Sequence, residues 1–163
     1  MTPRRIAALR AVLNRAYAEY DARWIEPDPV QFVWRYDSPE DREVAGLVAS
    51  SLAYGNVRQI KKSVERVLAV LGDRPARAID SLDSARARSA LDGFKHRFND
   101  AEDAVCLLVF IREMRRAEGS IERFFAPGAR VVDLRPALAD FVRRALALPR
   151  DGLYGRGPLP DQA

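Results

Sequence analysis

The chain has 163 residues, 48% of them hydrophobic and 31% charged, which fits one globular domain of ordinary size and excludes disordered, collagen-like and disulfide-scaffold classes. A domain of this length buries roughly 70% of the surface its unfolded chain exposes, enough for an apolar core without staples. A net charge of +4 and a pI of about 9.6 permit a phosphate-bearing partner without requiring one.

Helix punctuation runs from end to end. Thr2 and Pro3 open a first helix to about Tyr20, with Ile6, Leu9, Leu13 and Tyr17 on one side. Asp28, Pro29 and Gln31 open a short second helix carrying Val30, Val33 and Trp34. Ser38 to Asp41 start a third, with Val44, Leu47, Val48 and Leu52 inward and Gly55 as its stop. The clearest amphipathic helix follows, with Val57, Ile60, Val64, Val67, Leu68 and Leu71 on one face and Gly72 at its end. Pro75–Leu82 and Ser84–Leu91 read as short helices, the second closed by Gly93. Asn99 and Glu102 form the expected capping box for Ala104–Met114, which is apolar nearly all round, central, and closed by Gly119. Ser120–Phe125 is another short helix, and Asp133 caps a last one through Leu138, Phe141, Val142 and Leu146. No segment but the brief Val131 and Val132 pair suggests a strand. The fold class is therefore all-α: a single bundle of about seven to nine helices over residues 1–148, followed by a loop-like, Pro/Gly-rich tail over 149–163. Cys106, the single cysteine, fits a reducing cytoplasm. No leader or membrane span is expected, since the longest apolar run, Ala104–Ile111, is far below the roughly 20 residues a bilayer needs.

Few residues suggest catalysis. One histidine, one cysteine and scattered acids make no metal-ligand set, and no glycine-rich loop for a nucleotide cofactor exists, so neither metal nor cofactor is expected. Cys106 sits mid-helix as a small buried thiol. Glu40, Asp41 and Glu43 suit the positive end of a helix, and Asp28, held between two prolines, suits a cap. A small-molecule hydrolase using Asp28, Glu43 or His96 would need those groups to converge in one cleft.

The basic segment is more informative. From Asn56 to Arg66 the chain carries Arg58, Lys61, Lys62 and Arg66 against one acid, Glu65, and positions 58, 62 and 66 lie one turn apart opposite the apolar stripe. Such a row can track phosphates with salt-sensitive affinity, or it can be an ordinary solvated face. Tyr54, Gly55 and Asn56 precede it, where glycine allows close backbone approach and an aromatic can stack on a base. The loop Phe94, Lys95, His96, Arg97, Phe98 interleaves aromatics with cations; it reads either as a second contact, with His96 exposed beside Lys95 and Arg97, or as a loop pinned by two aromatic anchors.

Three stretches carry a resemblance: PDPVQFVWRY over Pro27 to Tyr36, DREVAGLVASSLAYGNVRQIKKSVERVL over Asp41 to Leu68, and FKHRFND over Phe94 to Asp100. Together they are similar to a bacterial protein family of unknown function. More distantly, the order of elements resembles the first half of the helical domain in helix-hairpin-helix DNA glycosylases of the endonuclease III type. That resemblance implies DNA as partner through phosphate contacts and places Tyr54 where those enzymes carry a gap-filling glutamine. Their phosphate-gripping hairpin and excision aspartate follow the long helix, and nothing from Gly119 to Ala163 matches them; Ala126, Pro127 and Gly128 make only a turn. The chain accordingly resembles an N-terminal portion on which further helices would pack, with no base excision of its own. The expectation is a cytoplasmic DNA-binding helical module, with a structural or protein-interaction domain as the alternative.

Overall fold

The structure, a computed structural model, describes residues 2–20, 25–125 and 134–148. Among these the chain forms α1 (Pro3–Glu19), a 3₁₀ helix (Pro29–Arg35), α2 (Pro39–Ser51), α3 (Val57–Leu71), α4 (Pro75–Asp80), α5 (Ser84–Ala90), strands β1 (Lys95–His96) and β2 (Asn99–Asp100), α6 (Ala101–Glu118), α7 (Ile121–Phe125) and α8 (Leu134–Leu146). The all-α class holds. The expected strand pair Val131 and Val132, the Asp133 cap and the 149–163 tail lie outside the described residues.

α6 is the central helix. Its buried residues, Ala104, Val105, Cys106, Leu108, Val109, Ile111 and Met114, span most of its circumference, and it packs against α4, α5, α7 and β2. Gly119 takes the left-handed conformation (φ 81°) that ends it. α2 lies across the 3₁₀ helix and touches α3, α4 and α7 through Val44, Ala45, Val48 and Ala49. Two acids near its start tie it to later elements. Asp41 Oδ1 accepts from the Ala76 N–H at the head of α4 (2.8 Å), and Glu43 Oε2 accepts from the Ile121 N–H at the head of α7 (2.8 Å). Both join a carboxylate to an otherwise unpaired helix-start donor.

Several expected boundaries move, each for a local reason. The second helix is 3₁₀ rather than α. At three residues per turn it buries Phe32 and leaves Val30 and Trp34 exposed, although Asp28 does cap it through the Val30 N–H (2.8 Å). α2 stops at Ser51, short of Gly55, because Leu52 to Gly55 turn away to bring Tyr54 against the β1–β2 hairpin. The capping box of α6 is Asp100 with Asp103, one residue beyond the expected Asn99 with Glu102. Asn99 is already paired in β2 and accepts from Tyr54 Oη (2.5 Å), while Glu102 takes Arg88 (2.5 and 2.8 Å).

The amphipathic end helices also differ from expectation. α1 buries none of its residues: Ile6, Leu9, Leu13 and Tyr17 face solvent. α8 reaches the core through Ala145 and half-buried Phe141, with Leu138, Val142 and Leu146 exposed. Helical period sets which side chains share a face; it does not supply a neighbour for that face.

Candidate nucleic-acid interface

α3 starts where the chain leaves Gly55. Asn56 caps it, its Oδ1 accepting from the Arg58 N–H (3.0 Å), and no acid occupies the first turn, so the positive end of the helix dipole is left uncompensated by its own sequence. Ile60, Val64, Val67, Leu68 and Leu71 bury the opposite face. Burying side chains of this size stabilises by about 1.5–3 kcal/mol each, which fixes the rotation of the helix and hence the outward placement of its cations.

Those cations have different partners. Arg58 and Lys62 are exposed, one turn apart, and among the described residues neither side chain meets a carboxylate. Lys61 donates to Glu26 Oε1 (2.6 Å), and this hydrogen bond holds the Glu26 carboxyl below its usual range. Arg66 donates to the carbonyls of Asp92 and Gly93 and lies 5.9 Å from the Phe94 ring centroid, so it fastens the chain entering the hairpin while, among the described residues, no acid pairs with its charge. Glu65, the segment's one acid, turns away from α3's cations to Arg35, with contacts of 2.8 and 2.7 Å. The Arg35 hydrogen bond holds the Glu65 carboxyl below its usual range. Arg58, Lys61 and Lys62 edge an open groove of about 790 Å³ together with Pro27, Asn56, Val57 and Gln59.

The second basic element is the hairpin. Lys95 pairs with Asp100 and His96 with Asn99, so successive side chains alternate: Lys95 points out and His96 points in. The expectation of an exposed His96 is thus corrected. It is only 2% exposed, its Nδ1 lies 2.9 Å from Ser63 Oγ on α3, and its Nε2 is buried without a hydrogen bond. Tyr54 packs edge-on to the imidazole at 4.7 Å, half-buried, with its hydroxyl donated to Asn99. The two-anchor expectation is half met, because Phe94 is buried whereas Phe98 is 84% exposed.

Arg97 links the two elements. Gly55 (φ 100°) lies so close that a Cβ there would come within 3.1 Å of Arg97 Nε. The hairpin's cations therefore adjoin the cap of α3. Sequence reasoning included Arg97 and Lys95 but missed Arg35, Ser63 and the exposure of Phe98. Ser63 carried a usable signal, a hydroxyl within the apolar stripe, which requires a polar partner once buried.

The groups considered for hydrolysis are dispersed. Asp28 caps the 3₁₀ helix, Glu43 holds α7 and His96 holds the hairpin. Among the described residues no three His, Cys, Asp or Glu side chains gather around a metal-sized space. None of their helices is long and apolar enough to cross a membrane.

Fold and site together define a helical bundle with cations on one amphipathic helix and the hairpin beside its cap. The chain belongs to the family described as protein of unknown function (DUF2400), whose model matches residues 28–156. No curated protein and no solved structure matches it.

Proposed function

We propose that this chain is a nucleic-acid-binding helical module, similar in organisation to the first half of a DNA glycosylase helical domain, that grips phosphates through the N-terminal half of α3 and the adjoining hairpin. One observation carries the reading: Arg58 and Lys62 stand one turn apart with no carboxylate partner among the described residues, while Arg35 engages the acid best placed to neutralise them. Lys61, Arg66, Lys95 and Arg97 extend the positive field, and Asn56 and Tyr54 shape its corner. Its work is phosphate binding, in the cytoplasm where nucleic acid is found.

The test is a salt titration with a fluorescent duplex. Each engaged phosphate releases condensed counterion, so Arg58→Ala or Lys62→Ala should weaken binding and reduce the slope of log affinity against log salt by about one. A folded chain that binds no DNA at low salt overturns the proposal.

The exposed apolar stripe of α1 favours a second reading, a protein-interaction domain. In that case Leu9→Glu would abolish capture of a partner while leaving any DNA binding unchanged.

A further inference from the structure

The hairpin tip combines two features that folding alone does not favour. Arg97 sits at φ 56°, in the left-handed region that residues with a side chain seldom adopt. Phe98, the second turn residue, holds its ring 84% exposed although Phe94, just before the hairpin, is buried in the core. Exposed charge lies next to it along the chain: Arg97 precedes Phe98, and Lys95 donates to the Phe98 carbonyl (3.4 Å). Arg97 in turn lies against Gly55, immediately before the cap of α3. An uncovered aromatic face set among cations is the arrangement that binds single strands, in which phosphates follow the charge and an unpaired base stacks on the ring. Tyr54 is less suited to that task, because its ring packs on His96 and its hydroxyl is held by Asn99.

We propose that Phe98 is a stacking platform for one base of a single-stranded nucleic acid whose backbone continues past Arg97 onto Arg58 and Lys62. This inference rests on the phosphate-binding reading above and adds the class of strand. A duplex keeps its bases stacked within the helix and offers the ring nothing equivalent, and an anionic protein surface offers charge without a base.

The test compares three probes with the whole chain at low salt: a single-stranded oligonucleotide, a blunt duplex, and inorganic polyphosphate of matched charge. Phe98→Ala should weaken the oligonucleotide roughly tenfold, the usual scale of one base stacked on an aromatic ring, and leave the other two unchanged. Phe98→Trp should restore the affinity and show tryptophan fluorescence quenched by the oligonucleotide. Arg58→Ala should weaken all three. If Phe98→Ala leaves oligonucleotide affinity intact, or weakens all three probes equally, the platform is refuted while phosphate binding stands. If the unmodified chain binds none of them, both readings fall.

Discussion

Ser63 and His96 form the one buried polar contact between α3 and the hairpin. With Nε2 already buried and unbonded, the imidazole depends on the Ser63 hydroxyl for its remaining bond (2.9 Å). Ser63→Ala would leave both ring nitrogens without partners in an apolar setting. Such a loss costs about 1–3 kcal/mol. Urea unfolding should show that decrease, and nucleic-acid affinity should fall with it, because the hairpin cations lose their anchor to α3. Cys106 makes a complementary case. Burial pushes its thiol up to about 11, so it stays protonated and unreactive at neutral pH. Iodoacetamide at pH 8 should leave the native chain unmodified and label it promptly in denaturant; rapid native labelling would show that α6 opens readily.

At the scale of elements, α3 depends on an acid being drawn elsewhere. Glu65 lies four residues after Lys61 and three after Lys62, spacings at which a helix pairs opposite charges. Arg35, from the 3₁₀ helix, holds it instead. Arg35→Gln should therefore return Glu65 to α3 and weaken phosphate binding by about twofold, an effect of the few tenths of a kcal/mol typical of one exposed helix pair. Glu65→Gln in the same background should reverse that loss. Failure of the second change to restore affinity would mean that Arg35 contacts the phosphates directly. The bridge also has a pH signature. Because Arg35 lowers the folded carboxyl below its ordinary value of 4.5, the stabilisation is present above the unfolded pKa and is lost as pH falls through the lowered folded value. With both partners substantially exposed, solvent screening keeps that contribution small.

The same scale shows what could be read in advance. α3 and α6 were legible because their information is local: a period of apolar residues and a terminal glycine agree within one segment. The hairpin was not. Its strands are two residues long, too short for alternation to register, and its fold depends on Tyr54 and Ser63, more than 30 residues upstream. The shift of the α6 capping box has the same origin, since Asn99 is a plausible cap until Tyr54 claims it. The cationic row was visible at 58, 62 and 66, but its pairing was not, because Glu65 could as well have bonded within its own helix as to Arg35.

For the whole molecule, the region matched by the family begins at residue 28, and α1 lies before it. α1 shows the hydrophobic spacing of a packed helix and buries none of its residues; Arg4, Arg5, Arg10 and Arg15 add charge, and its apolar side chains remain in solvent. A helix in that state contributes little to the bundle's cooperative unfolding, because stability comes from the apolar area it removes from water. A chain lacking residues 1–20 should consequently keep its thermal midpoint within about 4 °C of the whole chain, the shift that roughly 1 kcal/mol produces at this size. Leu9→Glu combined with Leu13→Glu should be equally neutral for the midpoint, since it breaks the stripe without removing the helix. A fall beyond about 8 °C in either variant would mean that α1 packs on the bundle in solution and that its stripe belongs to the core. An unchanged midpoint with loss of a bound protein would instead establish α1 as a docking helix.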